Sequence, residues 1–171
     1  MNISDIVQLH TIGYRLHDVK VTFKHDVKID TTEVSLDTKF NETLNIPRWI
    51  AEILELEKLV DIHDMDMVSE LKQTIVKENG QGAFDLSTLS LDFYIKIRSY
   101  LKRLPAQDRD KAGSMLNTLI RTRRSKIINF ADSSKMTSDH LKKLSIEERI
   151  FYNSIHSQSM NFTKEISGDL S

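Results

Sequence analysis

The stretch Ala112–Ala131, AGSMLNTLIRTRRSKIINFA, decides how this chain is read. Leu116, Ile120, Ile127 and Phe130 recur at the three- and four-residue intervals of a helix that turns one face to a bundle core. Arg123 falls between Ile120 and Ile127, so a guanidinium sits in the middle of the apolar stripe. Arg121, Arg124 and Lys126 surround that stripe with positive charge. An arginine on a buried face is costly unless a carboxylate or backbone carbonyls meet it. Arg123 is therefore expected to be structural, paired with Glu147 or Glu148 of this chain or with a carboxylate of a partner subunit.

Working outward, the chain of 171 residues has room for one ordinary domain, or one domain with a small appendage. Lys and Arg number 24 against 25 Asp and Glu, a formal charge of -1. That balance argues against a protein whose main task is gripping phosphate backbones, which calls for a clearly basic domain. With no cysteine there is no disulfide framework, thiol nucleophile or thiolate metal site. The opening MNISDIVQLH lacks the basic and apolar regions of a secretory signal, and no uncharged apolar run approaches membrane-spanning length. A soluble intracellular protein is the expectation, cytoplasmic and without a membrane partner.

Before the central helix the hydrophobic period is two. Val19, Val21 and Phe23 alternate with polar residues, then Val27 and Ile29, then Val34 and Leu36, which predicts a meander of three short strands. Pro47 falls in the first turn of a helix whose apolar face runs through Trp49, Ile50, Ile53, Leu54 and on to Val60. A second helix, capped by Asp64 or Asp66, carries Val68, Leu71 and Ile75 and stops at Asn79-Gly80 in a left-handed turn. Residues 79–90 read as a loop. Ser90 opens a third helix bearing Tyr94, Ile97, Leu101 and Leu104, closed by Pro105. Beyond the central helix and a polar connection over residues 132–140, Ser145 and Glu148 form a capping box for a last helix with Ile146, Ile150, Phe151 and Ile155. The predicted fold is mainly α: a small β-rich domain over residues 1–44, a helical bundle over 45–156 and a frayed polar tail over 157–171.

Three His-Asp dipeptides, His17-Asp18, His25-Asp26 and His63-Asp64, suggest a metal phosphohydrolase at first sight. No His-x-x-x-His or Glu-x-x-His spacing brings two ligands onto one helix face, so a metal site is not expected. Gly-x-Ser-x-Gly is absent, and Asn79-Gly80-Gln81-Gly82 lacks the lysine and glycine pattern of a phosphate loop. No catalytic residue and no cofactor are expected. The basic run Arg121–Lys126 reads either as a solvated helix face with one structural arginine, or as a patch for DNA or an acidic protein surface joined by Lys96, Arg98, Lys102 and Arg103.

At this point the residues resemble a known family. Arg123-x-x-Lys126-Ile127, then Ala131, then Leu144-Ser145-x-Glu147-Glu148-x-x-x-Tyr152 are similar to the C-terminal half of the helical domain of GINS subunits. Ile46-Pro47-Arg48-Trp49-Ile50-Ala51 resembles the Val-Pro-Leu-Trp-Leu-Ala segment where a small β domain precedes the helical one, with Arg48 in place of an apolar residue. Asp92-Phe93-Tyr94, followed by Tyr100-Leu101, resembles the aromatic helix start of the same families. The resemblance covers about residues 44–156, and its order is that of the β-first, Psf-two/Psf-three class, in a short form like an archaeal member.

What the resemblance implies is a non-catalytic scaffold of DNA replication, nucleoid-associated, or nuclear in a eukaryote. Two β-first and two helix-first subunits would pack into a 2:2 heterotetramer. That tetramer would link the MCM helicase to a RecJ-like or Cdc-forty-five-like partner, with DNA contact weak at most. Pro47, Trp49, Tyr94, Leu101, Leu116, Ile120, Arg123, Lys126, Ile127, Glu148 and Tyr152 are the structural and interface residues this reading selects. The alternative is a nucleic-acid-binding helical module that uses the Arg121–Lys126 helix.

Overall fold

The computed structural model describes residues 3–32, 34–133 and 136–167. In chain order its elements are α1 (Ile3–Leu16), β1 (Asp18–Phe23), β2 (Val27–Asp30), β3 (Ser35–Thr38), β4 (Thr43–Pro47), α2 (Arg48–Leu56), β5 (Val60–Ile62), α3 (Met67–Gly80), α4 (Phe93–Arg103), α5 (Ala106–Ser133), α6 (Ser138–Lys142) and α7 (Ile146–Ser167). The architecture is α+β, a small antiparallel β region followed by a helical bundle, as the sequence predicts. Two compact units divide the chain. One is Gln8–Met65, and the other holds everything from Asp66 onward together with residues 3–7.

In the first unit the alternating residues form strands because one face is buried. Val19, Val21 and Phe23 of β1 point inward while Asp18 and Lys20 stay exposed. The three predicted strands are present, but they do not form one meander. β1 is the centre of a sheet ordered β4-β1-β5, and β2 and β3 make a separate hairpin. The sequence reading omits β4 and β5. Val60, expected on the helix that carries Trp49, lies in β5. That helix stops earlier, at Leu56. Lys58 adopts a left-handed φ of 60°, the Leu59 amide donates to the Leu54 carbonyl and the Lys58 amide to that of Glu55. This is a Schellman stop built on lysine, so the glycine that usually announces one is missing. Pro47 is the last residue of β4, paired with Asp18, and stands one position before α2 rather than inside its first turn. Ile50, Ala51 and Leu54 of α2 pack with the strand residues, and half-buried Trp49 lies against the same core. The helix expected to open the bundle thus belongs to the β unit, and the division falls after Met65 rather than at residue 45.

In the second unit Asp66 caps α3, its side chain accepting from the amides of Val68 and Ser69. The left-handed stop expected at Asn79-Gly80 does not form: both lie in α3, and Gln81 leaves it in extended backbone. The third helix begins at Phe93 rather than Ser90. On α5 the buried positions are Ala112, Leu116, Leu119, Arg123, Ile127, Phe130 and Ala131. Ile120, expected in that stripe, is 38% exposed, and Leu119 takes its place at 2%. Seen from Arg123, Leu119 lies about 40° round the helix and Ile120 about 60° to the other side, so Ile120 stands farther from the centre of the buried stripe. The segment expected to fray after His156 is the second half of α7, helical to Ser167 and largely exposed. Thr163 and Ser167 hydrogen-bond back to the carbonyls one turn earlier, so polar composition here is compatible with helix.

Candidate functional site: a buried ion cluster in the helical unit

Two apolar cores flank Arg123 along α5. Leu119 and Leu116 belong to a core with Leu71, Phe93, Tyr94, Ile97 and Leu101. Ile127 and Phe130 belong to another with Leu86, Leu144 and Tyr152. Arg123 stands between them at 0% exposure. A cation in that position survives only if every donor is met.

Every donor is met, by partners in four other segments. Nε donates to Glu148 Oε1 at 2.7 Å and Nη2 to Glu148 Oε2 at 2.8 Å, a bidentate pair with α7. Nη2 also donates to the Lys143 carbonyl at 3.1 Å, in the turn before α7. Nη1 donates to Glu78 Oε2 of α3 at 2.6 Å and to the Ser87 carbonyl at 2.8 Å. Glu148 Oε1 further accepts from the Tyr94 hydroxyl of α4 at 2.8 Å. The predicted capping box is present: the Ser145 amide donates to Glu148 Oε2 and the Glu148 amide to Ser145 Oγ. Glu148 therefore caps its own helix and holds α5 with the same carboxylate.

Glu78 is the partner that the sequence reading missed. Its Oε2 also accepts from the amide and hydroxyl of Ser87, and its Oε1 from Lys126 Nζ at 2.8 Å. Lys126 Nζ reaches the Glu78 carbonyl at 3.2 Å and the Asp85 carbonyl at 3.1 Å as well, so a cation from α5 closes the carbonyl end of α3. One signal was available. A glutamate in the last turn of a helix opposes the dipole, and tolerates that position when a cation sits beside it.

Two cations, buried Arg123 and half-buried Lys126, and two buried carboxylates leave the cluster neutral. Burial by itself works against the Arg123 charge. The bonds to Glu148 and the charges of Glu148 and Glu78 outweigh it, so the guanidinium is held above its ordinary value. Glu78 shows the converse: burial raises its pKa, but Lys126, Ser87 and Arg123 together pull it below the usual carboxylate value. Burial pushes the Tyr94 phenol well up, reinforced by the Glu148 carboxylate, so Tyr94 stays a hydrogen-bond donor at any ordinary pH.

Of the residues selected from sequence, Tyr94, Arg123, Lys126 and Glu148 meet in this cluster. Leu101, Leu116 and Ile127 pack in the adjoining cores, and the Tyr152 hydroxyl accepts from the Met136 amide at 2.9 Å. Pro47, Trp49 and Ile120 lie outside it. In the β unit a second buried arginine was not anticipated. Arg48, 7% exposed, makes a bidentate pair with Asp64 at 2.6 and 2.9 Å and lies over the Tyr14 ring. Asp64 of the third His-Asp dipeptide is thereby committed to an ion pair, and His63 Nε2 bonds to Thr22 Oγ1 at 2.7 Å. Among the described residues no three His, Asp or Glu side chains gather to hold a metal ion, and no helix is long and apolar enough to cross a membrane.

The arrangement binds helices to one another. Residues 53–167, about two thirds of the chain, match the family described as "Sld5: GINS complex protein helical bundle domain". The matched span contains the whole ion cluster, Glu78, Ser87, Tyr94, Arg123, Lys126 and Glu148. The chain belongs to the GINS family, subunits of a DNA-replication complex. No curated protein matches it by sequence comparison.

Proposed function

We propose that this chain is a β-first, Psf-two/Psf-three-like GINS subunit that performs no reaction of its own. It assembles with a helix-first GINS subunit, two copies of each, into a scaffold that links the MCM helicase to a RecJ-like or Cdc-forty-five-like protein during replication initiation and elongation. Its place is with DNA in the nucleoid of an archaeal cytoplasm, or in the nucleus of a eukaryote. The observation that carries this reading is the family match over residues 53–167 combined with element order, a β-rich unit at Gln8–Met65 ahead of the helical one. The ion cluster supports it physically. A helical unit fixed from within by a neutral polar lock has stiff outer faces, and stiff faces lower the ordering cost of association.

Co-expression with a helix-first GINS protein from the same genome tests the reading. The two should elute together as one species larger than either alone. If the chain stays a monomer beside that protein at micromolar concentration, the assignment is wrong.

A further inference from the structure

A groove of about 320 Å³ runs along the outside of the helical unit between α4, α5 and α7. Its floor is apolar, made by Ile120, Ile127 and Phe151, and its rim carries Arg98, Arg124 and Glu147. Ile128, 39% exposed, continues the Ile120–Arg124 row one turn further along α5. Large apolar side chains standing together on a surface mark an interaction site more often than chance exposure. The rim is not electrically balanced. Arg98 shares Glu147 at 3.2 Å, whereas Arg124 has no ion-pair partner among the described residues.

We propose that this groove receives an amphipathic helix of the partner subunit, one whose apolar row is edged by carboxylates. The inference rests on reading the chain as an assembly subunit and adds the surface and the chemistry of its partner. Charge selects the occupant. A second copy of this chain would bring the same excess of arginine against itself, and like charges across an interface oppose docking. DNA would satisfy Arg124 but leave Ile120, Ile128 and Phe151 in contact with water. A helix fits both features: its ridge of apolar side chains seats between the α5 and α7 ridges, and its flanking Asp or Glu meets Arg124.

The absence of cysteine makes the test direct, because Ile120→Cys creates the sole thiol of the chain. Maleimide labelling of this variant is followed alone and in the presence of the helix-first subunit, and the affinity of an Arg124→Glu variant is measured alongside. Both positions are exposed, so circular dichroism of each variant should match the parent. The proposal expects labelling to slow tenfold or more in the complex. It expects Arg124→Glu to weaken association tenfold or more, about 1.4 kcal/mol. If the complex forms but the thiol labels at its free rate and Arg124→Glu binds as the parent does, the groove is not the interface, and the family-level reading stands. Protection that appears with protein concentration alone means a second copy occupies the groove and overturns the proposal. So does salt-sensitive DNA binding that Arg124→Glu abolishes while the partner leaves the thiol open. Failure of the parent chain to associate at all defeats the assembly reading itself.

Discussion

Arg123 is legible in sequence as an anomaly and in structure as a solution. A lone cation in an apolar stripe demands carboxylates, and the capping-box spacing of Ser145 and Glu148 pointed to one of them. Glu78 was not legible, because its partner lies 45 residues away and no local spacing links them. The same holds for Arg48, whose Asp64 sits 16 residues on, beyond a helix and a strand. At this scale the titration of Glu78 gives a testable consequence. Its folded pKa lies below the ordinary value of 4.5, so the charged form is the one the fold favours. Stability from this group is complete above about pH 4.5 and is lost as pH falls through the lower folded value. Asp66 and Asp85, also held below their ordinary values, by Ser69 and Lys143 respectively, act in the same direction. Urea midpoints measured from neutral to acid pH should fall steeply below about pH 4.5 in the parent chain. Glu78→Gln should start lower at neutral pH and fall less steeply. Parallel profiles would mean that Glu78 is not charged in the folded state.

Elements with their own local signals were readable. Helices α3, α5 and α7 follow from apolar spacing and from the caps Asp66 and Ser145, and β1, β2 and β3 from alternation of period two. Elements decided by distant packing were not. β4 and β5 exist because β1 offers two edges, and three-residue β5 carries no pattern of its own. The end of α2 was hidden because lysine rather than glycine occupies the left-handed position. That choice has an energetic consequence: an L-residue in this conformation costs roughly 1–2 kcal/mol, part of which glycine returns through its unfolded-state entropy. Lys58 is exposed, and no ion pair or hydrogen bond holds its side chain among the described residues. Lys58→Gly is therefore expected to stabilise the β unit by about 0.5–1 kcal/mol, read from the unfolding midpoint of Trp49 fluorescence, since Trp49 reports on that unit. A loss of stability instead would show that the backbone there is set by something other than the helix stop.

At the scale of the whole molecule, the division of labour is between a β unit with its own core and a helical unit with two cores joined through a polar centre. The family relation could be seen in the order of short motifs, and part of those motifs is the lock: Arg123, Lys126, Ser145 and Glu148 belong to both, while Glu78 belongs to the lock alone. What the sequence could not convey is that the lock is internal. Both carboxylates come from this chain, so Arg123 is satisfied without a sister subunit, and the surfaces left for assembly are elsewhere. The central claim is that this cluster holds α3, α4, α5 and α7 as one body. Equilibrium urea unfolding of Arg123→Ala against the parent, followed by far-UV circular dichroism because Trp49 lies outside the helical unit, tests it most directly. Removing the guanidinium leaves Glu148 buried without a cation and Glu78 with Lys126 alone, and a loss of roughly 3–5 kcal/mol is predicted. A change below about 0.5 kcal/mol, the scale of an ordinary surface substitution, would contradict it.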